Sequence, residues 1–266
     1  MTNIHDAALQ ALMTDGIDDK CDAVASLARQ CREAGLSLGT DADMPPRGIV
    51  DPGRPARPPL VHPRELKQRK LHTREGHAAF VHALAHIEFN AINLALDAVY
   101  RFRGLPGDFY EDWLGVAEEE ARHFRLLAEH LESLGHRYGD FPAHNGLWDM
   151  ARRTDDDLLK RMALVPRVME ARGLDVTPPM IERLRQIGDE RGAAILEIIL
   201  EDEVGHVAIG NRWYHWACAE RGLDAAETFV RLVREYLPGR VKGPFHVDAR
   251  LRAGFTRQEL EQLENL

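Results

Sequence analysis

Residues 77–103 read HAAFVHALAHIEFNAINLALDAVYRFR, and neither glycine nor proline interrupts them. Apolar residues recur at intervals of three and four, which is the spacing of one buried helical face. We therefore predict a long amphipathic helix here, helix A, which the turn from Gly104 to Gly107 ends.

A second helix, helix B, is predicted from Asp108 to Gly135. Asp108 can cap the first amides while Glu111 reaches back, and glycine is a common residue just after a helix. The short turn between helices A and B predicts an antiparallel hairpin. Residues 135–153 are irregular and long enough to carry the chain back along a bundle as a crossover.

Helices C and D form the second half of the predicted bundle. Helix C should begin after Thr154, kink at Pro166 and stop at Gly173, and Thr177 followed by proline opens another helix. Helix D is placed over residues 189–220. Alternation of polar and apolar residues with period two is weak everywhere, so the predicted class is all-α.

Outside this bundle, seven of the 14 prolines fall between residues 45 and 63, which predicts an extended strap. A helix over Asp19–Ala34, closed by Gly35, precedes the strap. A helix over Asp224–Leu237 follows helix D, residues 238–255 are irregular, and Thr256 opens a short last helix as part of a capping box. The predicted domains are 1–72, a four-helix bundle over 73–221, and a helical extension over 222–266.

Composition excludes several classes of protein. The chain has 266 residues and a net charge of −9, which argues against electrostatic binding of nucleic acid along the whole chain. The most basic window is 64–74. No apolar run reaches bilayer length and the start lacks a basic leader, so we expect a cytoplasmic protein without a membrane span. Three cysteines without a paired motif argue against a zinc ribbon, an iron-sulfur site or a disulfide framework.

Two tetrapeptides carry the chemistry. Helix B contains Glu120-Ala-Arg-His123, and helix D contains Glu203-Val-Gly-His206. Residues three apart lie on one helical face, so each carboxylate and imidazole can reach the same ion. One such motif is weak evidence, but two on strongly amphipathic helices indicate a repeated unit.

Each motif follows a glutamate on the preceding helix, Glu88 by 32 residues and Glu170 by 33. The helical neighbours of Glu88, Glu120 and Glu203 are mainly apolar, so we expect these carboxylates to be buried. Burying an uncompensated carboxylate costs several kcal/mol, which a bound cation would offset. Four carboxylates and two imidazoles match a two-metal site in a four-helix bundle, with iron or manganese preferred over zinc.

Glu170 is flanked by Pro166 and Arg167, where the other glutamates have aliphatic neighbours. Arg167 could pair with it, and Glu190 or Glu197 could replace it or add a ligand. These alternatives remain open at this point.

The chain resembles an uncharacterised bacterial ferritin-like di-iron family, a domain of unknown function. The segments that carry the resemblance are His86-Ile-Glu88-Phe-Asn-Ala-Ile-Asn-Leu-Ala-Leu-Asp97-Ala, Glu119-Glu120-Ala-Arg-His123-Phe, Met169-Glu170-Ala-Arg-Gly-Leu-Asp175, Asp202-Glu203-Val-Gly-His206 and Lys242-Gly-Pro-Phe. The resemblance implies a di-iron bundle and favours Glu170 as the third carboxylate. More distantly the arrangement is similar to the di-iron hydroxylase of modified adenosine in tRNA, to rubrerythrin and to ferritin, so tRNA stays among the candidate partners.

We thus expect an oxidoreductase in which two iron ions, with manganese as an alternative, activate dioxygen or peroxide and support hydroxylation of a substrate. The expected catalytic and metal ligands are Glu88, Glu120, His123, Glu170, Glu203 and His206. No flavin, nicotinamide or cysteine-cluster motif is visible, so an external electron-donor protein is expected. The rival hypotheses are a ferroxidase or iron-handling protein without an organic substrate and a metal-stapled helical adaptor; a homodimer is one option for assembly.

Overall fold

The computed structural model describes residues 3–34, 46–239 and 241–265, and these residues form eleven α-helices and no β-strand. In chain order the helices are α1 (Ile4–Leu12), α2 (Ile17–Ala34), α3 (Arg74–Arg101), α4 (Gly107–Ser133), α5 (Gly146–Arg153), α6 (Leu158–Leu164), α7 (Ala171–Gln186), α8 (Glu190–Glu220), α9 (Ala225–Tyr236), α10 (Val247–Arg252) and α11 (Arg257–Glu264). The predicted all-α helical class is confirmed.

The chain divides into two compact units, Met1–Arg152 and Arg153–Leu266. This division falls inside the segment that the sequence assigns to one bundle domain. The domain bounds at residues 72 and 221 stay a prediction. Gly35 and Pro45 of the sequence analysis lie outside the described residues.

The first unit is built on the predicted hairpin of α3 and α4, with α1 packed on α3 and α2 packed on α4. Gly104 has a φ of +72°, a conformation that suits glycine and lets the chain turn between the two long helices. Helices α1 and α5 were not predicted, and the basic window at residue 64 holds only a short 3₁₀ turn, Pro63–Glu65.

Lys20 fastens α2 to its neighbours in this unit. Its ammonium is fully buried and donates hydrogen bonds to the Leu12 carbonyl at 2.7 Å, the Ala11 carbonyl at 3.3 Å and the Asn93 Oδ1 at 2.7 Å. Two of these acceptors are the last carbonyls of α1, where a cation is favourable. One side chain therefore ties α1, α2 and α3 together.

Helix α3 is also the described helix that is long and apolar enough to cross a membrane, with a window of mean hydropathy 1.2. This corrects the expectation that no segment approaches bilayer length. The signal is weak evidence for a membrane span, because 72% of that window is buried inside the fold and a protein core helix has the same composition.

In the second unit, α7 and α8 form the main helix pair, and α6 also packs on α8. Residues Val165–Glu170 between α6 and α7 form a π-helical turn, which we call the π turn. Pro166 lies at its start, and its missing amide explains the predicted distortion. Helix α8 matches helix D, with Asp189 as its cap.

Several predicted helix ends are wrong. Helix α6 starts at Leu158 and is capped by Asp157, because Thr154 instead accepts a hydrogen bond from Arg161 at 2.8 Å. Gly173 and Thr177 lie inside α7. Packing against α8 overrides the local stop and start signals there.

Two more termini differ from expectation. Asp108 lies inside the first turn of α4, whose cap position is Pro106 with no side-chain hydrogen bond. Helix α10 occupies part of the stretch that was predicted to be irregular. The capping box of Thr256 and Glu259 at the start of α11 is confirmed.

Candidate metal centre

Three side chains meet in the core of the first unit: Glu88 from α3, and Glu120 and His123 from α4. We call them the triad. The Nδ1 atom of His123 lies 3.3 Å from a carboxylate oxygen of Glu88 and 3.5 Å from one of Glu120. The three residues are 5%, 1% and 0% exposed, and one ligand atom from each lies within 4.8 Å of the others.

The sequence pattern accounts for this placement. Glu120 and His123 are three residues apart and so project from one side of α4. The neighbours that predicted a buried face, which include Val116, Phe124 and Leu127, are themselves buried. Packing of α3 along α4 then brings Glu88 to the same point.

Burial dominates the electrostatics of the triad. Burial raises the pKa of Glu88 well above its ordinary value, and the carboxylate of Glu120 raises it further. Burial lowers the pKa of His123, but hydrogen bonds to Glu120 and Glu88 outweigh that effect and raise it to about 10. Protons therefore balance the crowded negative charge in the isolated chain, which is the role that a bound cation can take.

The donor set fits iron or manganese. Two carboxylates supply hard oxygen ligands and one imidazole supplies nitrogen, a combination that suits these ions. Ligand atoms that share one ion at about 2.0–2.2 Å lie roughly 3 Å apart. The two separations from His123 Nδ1, 3.3 and 3.5 Å, are close to this value.

An aromatic shell lies beside the triad and was not predicted. Phe89 and Phe124 directly follow Glu88 and His123 in the sequence, and their rings are 5.8 Å apart. The ring of Tyr138 packs on Phe124 at 5.1 Å and on Phe89 at 5.8 Å. Tyr138 belongs to an irregular connection with no periodicity, so the sequence offers no signal for its position.

His82 and His86 of α3 contact this same connection. The Gly139 amide donates to His82 Nε2 at 2.9 Å, and His86 Nδ1 lies 2.8 Å from the Tyr138 hydroxyl. Both histidines are buried. Their hydrogen bonds hold the connection against α3.

In the second unit, the repeated motif places Glu203 and His206 on one side of α8. The His206 Nδ1 atom lies 3.8 Å from a Glu203 oxygen, with His206 buried and the Glu203 side chain 13% exposed. Glu170 is the last residue of the π turn. Within the described part of the second unit, Glu170 does not join this pair in a set of three ligand atoms.

The alternatives to Glu170 are poorly placed. Glu190 and Glu197 are exposed on α8, and Glu197 pairs with Arg185. Arg167 does not neutralise Glu170 but pairs with Glu259. A carboxylate oxygen of Glu170 is buried, so this residue remains the best third carboxylate.

The fold and this site define an all-α protein with a buried carboxylate and histidine cluster. A family described as "Protein of unknown function (DUF455)" matches residues 13–261, and the chain belongs to this family. An uncharacterized protein of Haemophilus influenzae is 52% identical over 216 residues, which cover 78% of this chain and 74% of that protein. No solved structure matches the chain significantly.

Proposed function

We propose that the protein is a di-iron carboxylate oxidoreductase that activates dioxygen or peroxide. The observation that carries the proposal is the triad: two buried carboxylates and a buried imidazole converge within 4.8 Å in the core of the first unit. A purely structural core has no need for this costly arrangement.

Glu88, Glu120 and His123 would hold the first ion, and Glu170, Glu203 and His206 the second. The first assignment is supported by the geometry of the triad. The second is supported by the repeated sequence spacing and by the proximity of Glu203 to His206. Manganese is compatible with the same donors.

When bound, the metal ions supply the electrons that reduce dioxygen or peroxide, which amino-acid side chains do not do. The carboxylates offset the charge of the ions, and the imidazoles add one nitrogen donor to each. Phe89 and Phe124, which directly follow Glu88 and His123 in the sequence, pack on each other and on Tyr138.

The electrons must be replaced after each turnover. The three cysteines are all buried and free, and the chain carries no recognisable flavin or nicotinamide motif. The proposed function therefore includes an external reductase as a partner.

The test is anaerobic titration with ferrous ion, followed by exposure to oxygen. We expect about two ferrous ions per chain and, after oxygen is admitted, the absorption and Mössbauer spectra of protein-bound ferric ions. His123→Gln and His206→Gln should each lose one ion, whereas the exposed His72→Gln should bind as the wild type does. Absence of iron binding overturns the proposal, and uptake of many ions as a mineral would indicate storage instead.

A further inference from the structure

The segment after α9, which includes α10 and α11, contacts the chain on both sides of Glu170. Arg167, three residues before Glu170, is held by Glu259. Ala171, directly after Glu170, is held by Arg250. The inference below concerns what these contacts do for the proposed metal site, and it rests on the proposed function.

On the first side, Arg167 is fully buried in an aromatic cage. Its guanidinium lies 4.2 Å from the ring centre of Tyr214, 4.1 Å from that of Phe229 and 4.9 Å from that of Phe255. Its anionic partner is Glu259, which is 2% exposed. Glu259 is itself fixed, because its second oxygen accepts the backbone amide of Thr256 at 2.9 Å.

On the second side, Arg250 holds the first turn of α7. It is 2% exposed and donates to both oxygens of Asp175, at 2.9 and 2.7 Å, and to the Ala171 carbonyl at 3.2 Å. The rings of Phe245 and Phe255 cover its guanidinium at 4.6 and 5.2 Å. Phe255 therefore contacts both arginines.

A third contact fixes the start of the π turn. A Cβ atom at Gly210 of α8 would lie 2.3 Å from Cβ of Pro166, so only glycine allows this close approach. Gly210 is one turn beyond His206 on the same helix. The π turn thus packs directly on α8, the helix that carries Glu203 and His206.

The direction of the Glu170 side chain depends on how the π turn packs on α8. A π turn contains about one more residue than an α-helical turn, and one residue corresponds to about 100° of rotation. Relaxation of the turn to regular α-helix would therefore swing Glu170 away from its present direction. Arg167 and Arg250, both buried, contact the chain on the two sides of Glu170 and would oppose that relaxation.

We propose that Glu259 and Arg250 are positioning residues, through which the C-terminal segment fixes the stretch of chain that carries Glu170, the third carboxylate of the proposed second site. Neither residue touches the ion. Glu259 acts through Arg167 and Arg250 acts through Ala171 and Asp175. The C-terminal extension is then part of the metal-binding framework of the second unit.

The test compares metal binding by Glu259→Gln and Asp175→Asn with binding by the full-length wild type. The control is Glu201→Gln, which removes an exposed ion pair between the same C-terminal segment and α8, at Arg252. Cobalt(II) is titrated into each protein, and the absorption of the first and of the second bound ion is followed. Circular dichroism checks that each variant is folded. Loss of a residue that supports a metal ligand, without binding the metal itself, typically weakens metal binding 10- to 100-fold.

We expect both test variants to lose affinity for one ion by about 10- to 100-fold and to keep the other ion unchanged. The control should bind both ions as the wild type does. If Glu259→Gln fails to fold, the double variant Arg167→Met/Glu259→Leu replaces the pair by apolar groups that fill the cage and should recover the second ion. Asp175→Asn tests the other side independently.

Two results separate this inference from the proposed function. A wild-type protein that binds fewer than two ions overturns the two-ion proposal itself. A wild type with two ions, together with folded Glu259→Gln and Asp175→Asn variants that bind both with unchanged affinity, overturns the positioning role alone. Equal losses in the Glu201→Gln control would also overturn it, since they would show a general effect of the segment.

Discussion

Replacement of Glu88 by glutamine should make the metal-free protein more stable. The Glu88 carboxylate is 5% exposed and lies beside the carboxylate of Glu120, which is 1% exposed. Glutamine has nearly the same shape, is neutral without taking up a proton, and can donate an amide hydrogen to Glu120. A carboxyl group that stays protonated in the fold costs about 1.4 kcal/mol for each pH unit above its ordinary pKa, so near neutral pH we expect glutamine to stabilise the metal-free protein by about 1–3 kcal/mol.

Ferrous ion should make the wild type more stable than Glu88→Gln. A ligand at about 1,000 times its Kd adds roughly 4.1 kcal/mol to the stability of the protein that binds it. The wild type should gain this amount from the first ion under anaerobic conditions, whereas Glu88→Gln should gain little from that ion. The variant would then be the more stable protein without metal and the less stable one with it.

The assay is thermal unfolding by circular dichroism, with hydrogen exchange of α3 and α4 amides to report on the first unit. One kcal/mol corresponds to a shift of roughly 2–4 °C in Tm for domains of 150–250 residues. Glu132→Gln on the exposed side of α4 is the control and should stay within about 0.5 kcal/mol of the wild type. A metal-free Glu88→Gln protein that is less stable by about 1 kcal/mol or more would show that the triad is a structural ion cluster, and would refute the reasoning.

Three further perturbations test the fold. Burial lowers the pKa of Lys20 to about 7, so between pH 7 and 10.5 the unfolded chain binds a proton that the folded chain releases; the free energy of unfolding, measured with urea, should rise by up to roughly 1.4 kcal/mol per pH unit, and Lys20→Met should remove this component. Gly210→Ala forces a Cβ against Pro166 and should cost about 1–3 kcal/mol in thermal unfolding, whereas Gly205→Ala, which meets nothing within 4 Å, should be neutral or stabilising. Thr256→Ala removes the capping box of α11 and should cost about 0.5–2 kcal/mol, seen as faster hydrogen exchange there; unchanged exchange would contradict it.

The long helices could be predicted because their apolar periodicity extends over many turns. Helices α3 and α8 begin and end within three residues of helices A and D, since many turns of apolar periodicity outweigh any single end signal. Single-residue signals were less reliable. Asp108 and Thr154 looked like caps, but a cap depends on where the chain enters the helix, and the entries lie elsewhere.

The site was predictable only where one helix carries it. The spacing within Glu120-Ala-Arg-His123 fixes a common helical side, and the structure brings these two residues together with Glu88. The sequence could not show that Tyr138 packs beside the triad, or that Glu259 rather than Glu170 is the partner of Arg167. In both contacts an irregular segment connects the two residues along the chain. Such segments have no apolar periodicity from which the contacting residues could be predicted.

The buried ammonium of Lys20 has a practical consequence for dissecting the protein. A fragment that starts at residue 73, where the sequence suggests the bundle begins, would lack Lys20 and leave the buried Asn93 Oδ1 without the donor that Lys20 supplies. Such a truncated hairpin should be poorly soluble and should fail to report faithfully on iron chemistry. The first two helices are therefore inseparable from the part of the chain that carries Glu88.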